Sequence, residues 1–303
     1  MKKRIRALIE ESVAKNLADA LLLSGGLDTS ILALVLKRLN VECHSVSVSL
    51  EGRGEDIEYL MKLKEFLHID PLVVFVTVEE AISAIPEVIR ILKSFDPAIP
   101  NDLVLYFGMK KLKEEGMMSV MTGDGADEIF AGYSYMAKID DLNSYILKML
   151  KGIRFNSDPI GQHFGIEVKK PYLSQEIKSF AGKIPRSLRI RDGWGKWILR
   201  KAYEEFLPKD LVYQSKRPLE VGSGMSYVRD FLSSKISDEE FYEKEKLYGM
   251  KFYGKDHLYY FEIYKEVCGI IPPPNEDEIS CPNCGGGKRS SHCRICGYSE
   301  RII

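Results

Sequence analysis

No stretch of the 303 residues approaches the roughly 20 consecutive apolar residues that a bilayer span needs, and Met1-Lys2-Lys3-Arg4 runs into an amphipathic pattern, not an apolar signal core. The expectation is a cytoplasmic protein. Net charge is nearly absent as well: 43 Lys and Arg against 44 Asp and Glu leave −1, so no general basic field draws in nucleic acid. Cysteine is scarce in the body of the chain, where Cys43 and Cys268 stand alone and are expected to be reduced, packed thiols. The other four, Cys281, Cys284, Cys293 and Cys296, crowd the C-terminus. There is no internal repeat and no low-complexity segment. Neither the G-x-x-x-x-G-K of the P-loop nor the G-x-G-x-x-G of dinucleotide folds occurs where it could matter.

What the chain has instead is Ser24-Gly25-Gly26-Leu27-Asp28-Thr29-Ser30, set between the apolar run 20–23 and the apolar stretch 31–39. A glycine pair in a strand-to-helix turn can aim several N–H groups at one anion, where the helix dipole favours negative charge. Ser24, Thr29 and Ser30 add hydroxyls. Asp28 can reach a phosphate only through a cation, so the implied guest is a magnesium-bound (Mg2+) polyphosphate. A plain tight βα turn is the alternative for an isolated glycine pair. The string is similar to the S-G-G-x-D-S/T-S PP-loop of ATP pyrophosphatases, which cleave ATP between the α- and β-phosphates.

Around this turn, β-branched apolar runs at 20–23, 41–50, 72–78 and 118–122 alternate with helical patterns at 30–39, 55–67, 78–95 and 103–115. The order predicts an α/β fold with a doubly wound parallel sheet, preceded by a helix through Ile5, Leu8, Ile9, Val13 and Leu17. Ligands sit outside the carboxyl ends of such strands, where both the Ser24 turn and a Thr122 turn fall. From about Ile139 strand signals fade into a helical half. Pro272-Pro273-Pro274 then forms a stiff spacer. The expected domains are 1–271, with an α/β core over about 1–138 and a helical part over about 139–271, followed by 272–303.

The second turn, Thr122-Gly123-Asp124-Gly125-Ala126-Asp127-Glu128-Ile129-Phe130-Ala131-Gly132-Tyr133, puts three carboxylates in five residues. By itself it reads equally as an acidic helix cap. Beside the first turn it resembles the S-G-E-G-S/A-D-E-L/V-F-G-G-Y segment of asparagine synthetases. The likeness extends to Ser47-Val48-Ser49-Leu50-Glu51, to Asp96-Pro97 at a substrate-side aspartate of the family, and to the stretch from His163 to Ser174. It also includes Lys196 to Arg200 as K-x-x-L-R, and Gln214-Ser215-Lys216-Arg217-Pro218 at the family's late R-x-K motif.

The resemblance implies that Leu22, Val48, Thr122 and Gly123 hold the adenosine of ATP, and that Ser24, Gly25, Gly26, Asp28, Thr29 and Ser30 hold its phosphates. Asp28 and Asp127 would ligate Mg2+, Lys216 would act at the adenylation step, and Asp124, at the family's catalytic glutamate, would handle the incoming amine. Asp96 reads equally as a helix-end cap. The implied activity is an AMP-forming amide ligase, with aspartate to asparagine as the default reaction and a small carboxylate and ammonia as substrates. Departures fall on the acceptor side: Asp124 is one methylene short of the glutamate, Lys169 replaces an arginine and Ser174 an aspartate. The family's N-terminal glutaminase domain has no counterpart here, so the nitrogen is expected from free ammonia, a separate glutaminase partner or a substrate amine. The competing expectations are a PP-loop enzyme that adenylates a tRNA base, disfavoured by Leu27 where those enzymes carry lysine, and an inactive nucleotide-binding protein.

Cys281-Pro-Asn-Cys284-Gly and Cys293-Arg-Ile-Cys296-Gly are two C-x-x-C-G knuckles, a spacing that lets four thiolates close a tetrahedron on zinc (Zn2+). Disulfides and a rubredoxin-type iron site are the weaker options. His292 is superfluous as a ligand and reads as a surface residue. A tail this short depends on metal for its fold. Arg289, Arg294 and Arg301 give it a mildly basic face, open to RNA, to a carrier protein, or to use as an interdomain brace.

Overall fold

The computed structural model describes residues 1–289 and 291–300, and Arg301 lies outside them. In chain order the first elements are α1 (Lys2–Lys15), β1 (Ala20–Leu22), α2 (Leu27–Arg38), β2 (His44–Leu50), α3 (Asp56–Leu67), β3 (Leu72–Val76), α4 (Val78–Leu92), α5 (Ile99–Glu114), β4 (Ser119–Met121), α6 (Ala126–Phe130), α7 (Leu142–Gly152), α8 (Ser157–Phe164) and β5 (Glu167–Lys169). Further helices follow, the last of them the long helix Lys255–Cys268, and a two-stranded hairpin, Ile279–Ser280 with Gly287–Lys288, lies in the tail. The five long-range strands form one sheet in the order β3-β2-β1-β4-β5. β1 pairs in parallel with β2 and β4, and β4 with β5. The expected α/β doubly wound sheet is therefore present, with a helical C-terminal half. Among the described residues no helix is long and apolar enough to cross a membrane.

The chain forms two compact units, one of residues 1–48, 55–74 and 108–218 and the other of 49–54, 75–107 and 219–303. In the first, α1 buries Ile5, Leu8, Ile9 and Val13 at helical spacing, and α2 is buried along nearly its whole length from Leu27 to Leu36. Both pack into a core with Leu21, Leu60, Leu63, Met121, Ile129, Phe130, Tyr172 and Leu199. In the second, α4 opens on a capping box, with Thr77 accepting from the Glu80 amide at 3.1 Å and the Glu80 carboxylate accepting from the Thr77 amide at 2.8 Å. Its C-cap, Lys93, turns left-handed at φ +50°, which ends the helix three residues before the apolar pattern does. The freed Phe95 packs its ring on His257, Phe261 and Tyr264 of the last long helix.

Two differences from the sequence reading have plain causes. α2 begins at Leu27, because Gly26 is extended and serves as its N-cap; Asp28, Thr29 and Ser30 thus belong to the first helical turns. β5 lies inside the stretch read as helical. Three residues are too few to show a strand period, and β5 exists through its partner: Ser119, Val120 and Met121 face Glu167, Val168 and Lys169.

Candidate functional site

β1 and β4 are neighbours, with Leu21 opposite Met121, so the turns that leave their carboxyl ends emerge side by side within the first unit. They touch: a Cβ on Gly123 would lie 3.2 Å from Thr29 Cγ2 and 3.4 Å from Asp28 Cβ. The Ser24 turn is pinned from within. Ser24 Oγ accepts from the Gly26 amide at 3.2 Å and lies 3.2 Å from Thr29 Oγ1, while Ser30 Oγ donates to the Gly25 carbonyl at 3.4 Å. It is also pinned from outside. Gln214 Nε2 donates to the Gly25 carbonyl at 3.0 Å, and Gln214 Oε1 accepts from Arg217, whose Nε and Nη2 reach Asp56 Oδ1 at 2.9 and 2.7 Å. The segment resembling the late family motif thus clasps the glycine turn. Leu22 and Val48 share a neighbour in Gly108, whose added Cβ would meet both side chains.

Asp28 and Asp127, one from each turn, converge on one buried ammonium. Lys196 Nζ is ion-paired with Asp28 Oδ2 and lies 2.7 Å from Asp127 Oδ1, and Lys216 Nζ reaches Asp127 Oδ2 at 2.9 Å. Burial raises the proton affinity of both carboxyls. At Asp127 the two ammonium groups overcome this and hold its pKa below the ordinary carboxylate value. At Asp28 burial prevails over Lys196, aided by the negative charge of Asp127, and its pKa is raised. Burial alone would push Lys196 down, but its two carboxylates push its pKa up. Asp28 Oδ1 is buried without a hydrogen-bond partner. An orphaned carboxylate oxygen between two strand-end turns fits a hard cation.

The geometry allows no side chain at position 132. A Cβ there would lie 1.7 Å from Asp127 Oδ1 and 2.4 Å from Lys196 Cε, and both groups are held by the ion pairs just described. Gly132→Ala is therefore expected to lower unfolding stability by at least about 2 kcal/mol. Urea unfolding checks this, and a variant as stable as wild type would show that the cluster can shift freely.

Asp124 lies on the same turn but takes a different partner, accepting from Ser157 Oγ of α8 at 2.6 Å. Burial raises its pKa, against the lowering effect of the Ser157 bond. Among the departing residues, Ser174 caps the helix Gln175–Ala181 by accepting from the Ile177 amide at 3.3 Å, and Lys169 pairs with Glu167 at 2.6 Å. Asp96 belongs to the second unit, where Oδ1 accepts from the Ala98 amide at 2.8 Å at the start of α5. The first unit thus gathers Leu22, the Ser24 to Ser30 turn, Val48, Thr122, Gly123, Asp124, Asp127 and Lys216.

Sequence reading assigned no role to Lys196, Gln214 or Ser157. The sequence signal for Lys196 was its place at the head of the K-x-x-L-R stretch, and the structure holds it left-handed at φ +55°. That conformation is uncommon outside glycine and signals a constrained position.

In the tail, the four cysteine Sγ atoms lie within 4.8 Å of one another. Cys281 and Cys296 are 3.7 Å apart and Cys284 and Cys293 3.8 Å, far beyond a disulfide bond. A tetrahedron with metal–sulfur bonds of about 2.3 Å has edges of about 3.8 Å. The two knuckles have the same construction. Gly285 and Gly297 adopt φ +75° and +73°, and each amide donates to the carbonyl of the first cysteine of its knuckle at 2.9 Å. The donor set fits a metal ion. Arg289, expected on a basic face, is paired with Asp277 and Glu278.

The model of the asparagine synthase family matches residues 4–154 and 145–253. The chain belongs to the asparagine synthase family. A probable glutamine-hydrolyzing asparagine synthetase of Dictyostelium discoideum is 28% identical over 285 residues, covering 80% of this chain and 51% of that protein. Glutamine-hydrolyzing asparagine synthetases of Triphysaria versicolor, at 29% identity over 74% of this chain and 43% of the relative, and of Lotus japonicus, at 25% over 92% and 52%, are similar to it. The chain spans about half the length of these curated relatives. Among solved structures, a U34-tRNA thiolase from Methanococcus maripaludis with its 4Fe–4S cluster aligns over 99% of this chain and 88% of its own, at 16% identity and a TM-score of 0.38. That score defines neither a shared fold nor a shared activity.

Proposed function

We propose that the chain is an ATP-dependent, AMP-forming amide ligase. The observation that carries this is the convergence of Asp28 and Asp127, from two adjacent strand-end turns, on Lys196 and Lys216 beside the Ser24 turn. Two ammonium groups and the amides of a glycine turn are what a departing pyrophosphate needs to balance its charge. Bound Mg2+, held by Asp28 and Asp127, would add Lewis acidity at the phosphates. Leu22, Val48, Thr122 and Gly123 would take the adenosine, and Ser24, Gly25, Gly26, Thr29 and Ser30 the phosphates.

A carboxylate oxygen of the acceptor attacks the α-phosphorus, the α–β anhydride breaks, and pyrophosphate leaves with the bond electrons. Nitrogen then attacks the acyl carbon and AMP departs. Lys216 would offset charge in the first step and Asp124 would accept the nitrogen's proton in the second. Aspartate is the default acceptor, with ammonia or an amine as nucleophile; a separate glutaminase is the partner that would supply ammonia. The four cysteines, in the tail of the second unit, are proposed to hold zinc. Metal analysis of the purified chain should give one zinc per chain and no iron; one iron instead would make the site rubredoxin-like.

The deciding experiment measures pyrophosphate release from Mg-ATP with ammonium and, in turn, aspartate, other amino acids and bulk tRNA. Aspartate-dependent release with asparagine as product is expected. Release only with tRNA would replace this reading by tRNA adenylation, and ATP binding without release under any acceptor would mark the chain as a nucleotide binder.

A further inference from the structure

The cysteine knuckles are fastened to the loop that carries Asp96. The Ile295 carbonyl, inside the second knuckle, accepts from the Phe95 amide at 2.7 Å and from Ser94 Oγ at 3.2 Å. His292, next to a cysteine ligand, places Nε2 3.0 Å from Asp96 Oδ2. Gly297 of the same knuckle lies so close to the loop that a Cβ would meet Pro97 Cδ at 2.6 Å and Asp96 Cγ at 3.0 Å. The first knuckle is anchored separately: Asn283 Oδ1 accepts from the Lys251 amide and Nδ2 donates to the Lys251 carbonyl, both at 3.0 Å. On its other side the loop is held by the Phe95 ring on the last long helix, and by Arg229, which donates to the Pro97 carbonyl at 2.9 Å.

We infer that the Cys281, Cys284, Cys293 and Cys296 metal site is a lock on Ser94–Pro97, and that His292 is the positioning residue that sets the Asp96 carboxylate through Oδ2. The physical basis is direct. A cluster of four cysteines with so little apolar core holds its shape through the metal. The carbonyl of Ile295 and the imidazole of His292 are where they are only while the knuckle is closed. Opening it removes the acceptor of the buried Phe95 amide and frees one oxygen of Asp96, whose other oxygen remains tied to the start of α5.

The test uses the full chain, with metal removed by a chelator and its loss verified by elemental analysis. Hydrogen exchange is followed by mass spectrometry over residues 93–98, with 20–38 as the control. Exchange at 93–98 should accelerate at least about tenfold and the control should not change. Unaltered protection of 93–98 after complete metal loss overturns the inference, as does a chain that binds no metal at all. Cys293→Ser should reproduce the effect of the chelator. His292→Ala, with the metal retained, should by itself accelerate exchange within 95–98 about threefold or more, with partial recovery in His292→Gln, which keeps a donor. Unchanged exchange there in His292→Ala overturns the role given to His292. If no carboxylate supports turnover the ligase reading fails, while the exchange result still decides the lock.

Discussion

Lys196→Ala is expected to destabilise the protein by about 3–5 kcal/mol, the range for removing one partner from a buried charge cluster. Lys196 is 4% exposed and bridges two carboxylates that also repel each other. Without it, among the described residues Asp28 has no cation at contact distance and Asp127 keeps only Lys216. The sign of the pH dependence follows. In the wild type the depressed pKa of Asp127 contributes stability above the ordinary carboxylate range, and that contribution is lost as pH falls through the folded-state pKa. In the variant both carboxyls shift upward, so the folded state prefers them protonated and is most penalised at neutral pH. The gap between wild type and variant should therefore narrow on acidification. Urea unfolding at neutral pH and near pH 4 measures both values. Adding Asp28→Asn to Lys196→Ala should recover part of the loss, because it removes the carboxylate left alone. An Ala variant within about 1 kcal/mol of wild type at neutral pH would mean that the cluster is open to water and weakly coupled.

The second large effect belongs to chemistry. Asp124→Ala is expected to reduce amide formation by about 10²–10⁴-fold, the range for losing a positioned acid–base group, while exchange of labelled pyrophosphate into ATP with the carboxylate acceptor persists. The two readouts separate because Asp124 is bound to Ser157 at 2.6 Å, whereas the ion pairs of the cluster proposed to face the phosphates are made by Asp28, Asp127, Lys196 and Lys216. The pH profile adds a second check. Burial raises the Asp124 pKa, and in the proposed step Asp124 works as the carboxylate. Amide formation should therefore fall as pH decreases through a value above the ordinary carboxylate range. A variant that forms amide at the wild-type rate would show that the nitrogen loses its proton elsewhere.

The sheet and both turns were legible in the sequence because each rests on local pattern. Apolar runs mark β1, β2, β3 and β4, and Gly25, Gly26, Gly123 and Gly125 mark the turns. The knuckles were legible for the same reason, since cysteine spacing and the following glycine fix them. The partners of the lysine between Asp28 and Asp127 were not: Lys196 heads the K-x-x-L-R stretch but lies 168 residues from Asp28, and the motif does not say what its lysine pairs with. Nor was the partner of His292, read as a surface residue, because only the folded second unit brings it to Asp96. Long-range ion pairs are chosen by tertiary packing, and single-sequence pattern does not encode them.

The polypeptide changes unit at residues 48–49, 54–55, 74–75, 107–108 and 218–219. Two interleaved bodies threaded in this way cannot be separated at one backbone bond. Whichever end is trimmed, a deletion that reaches past one of these passages takes pieces of both bodies with it. Partial products of translation that stop before residue 218 therefore hold neither body whole, and one that stops there carries the body with the Asp28, Asp127 and Lys196 cluster together with pieces of the other.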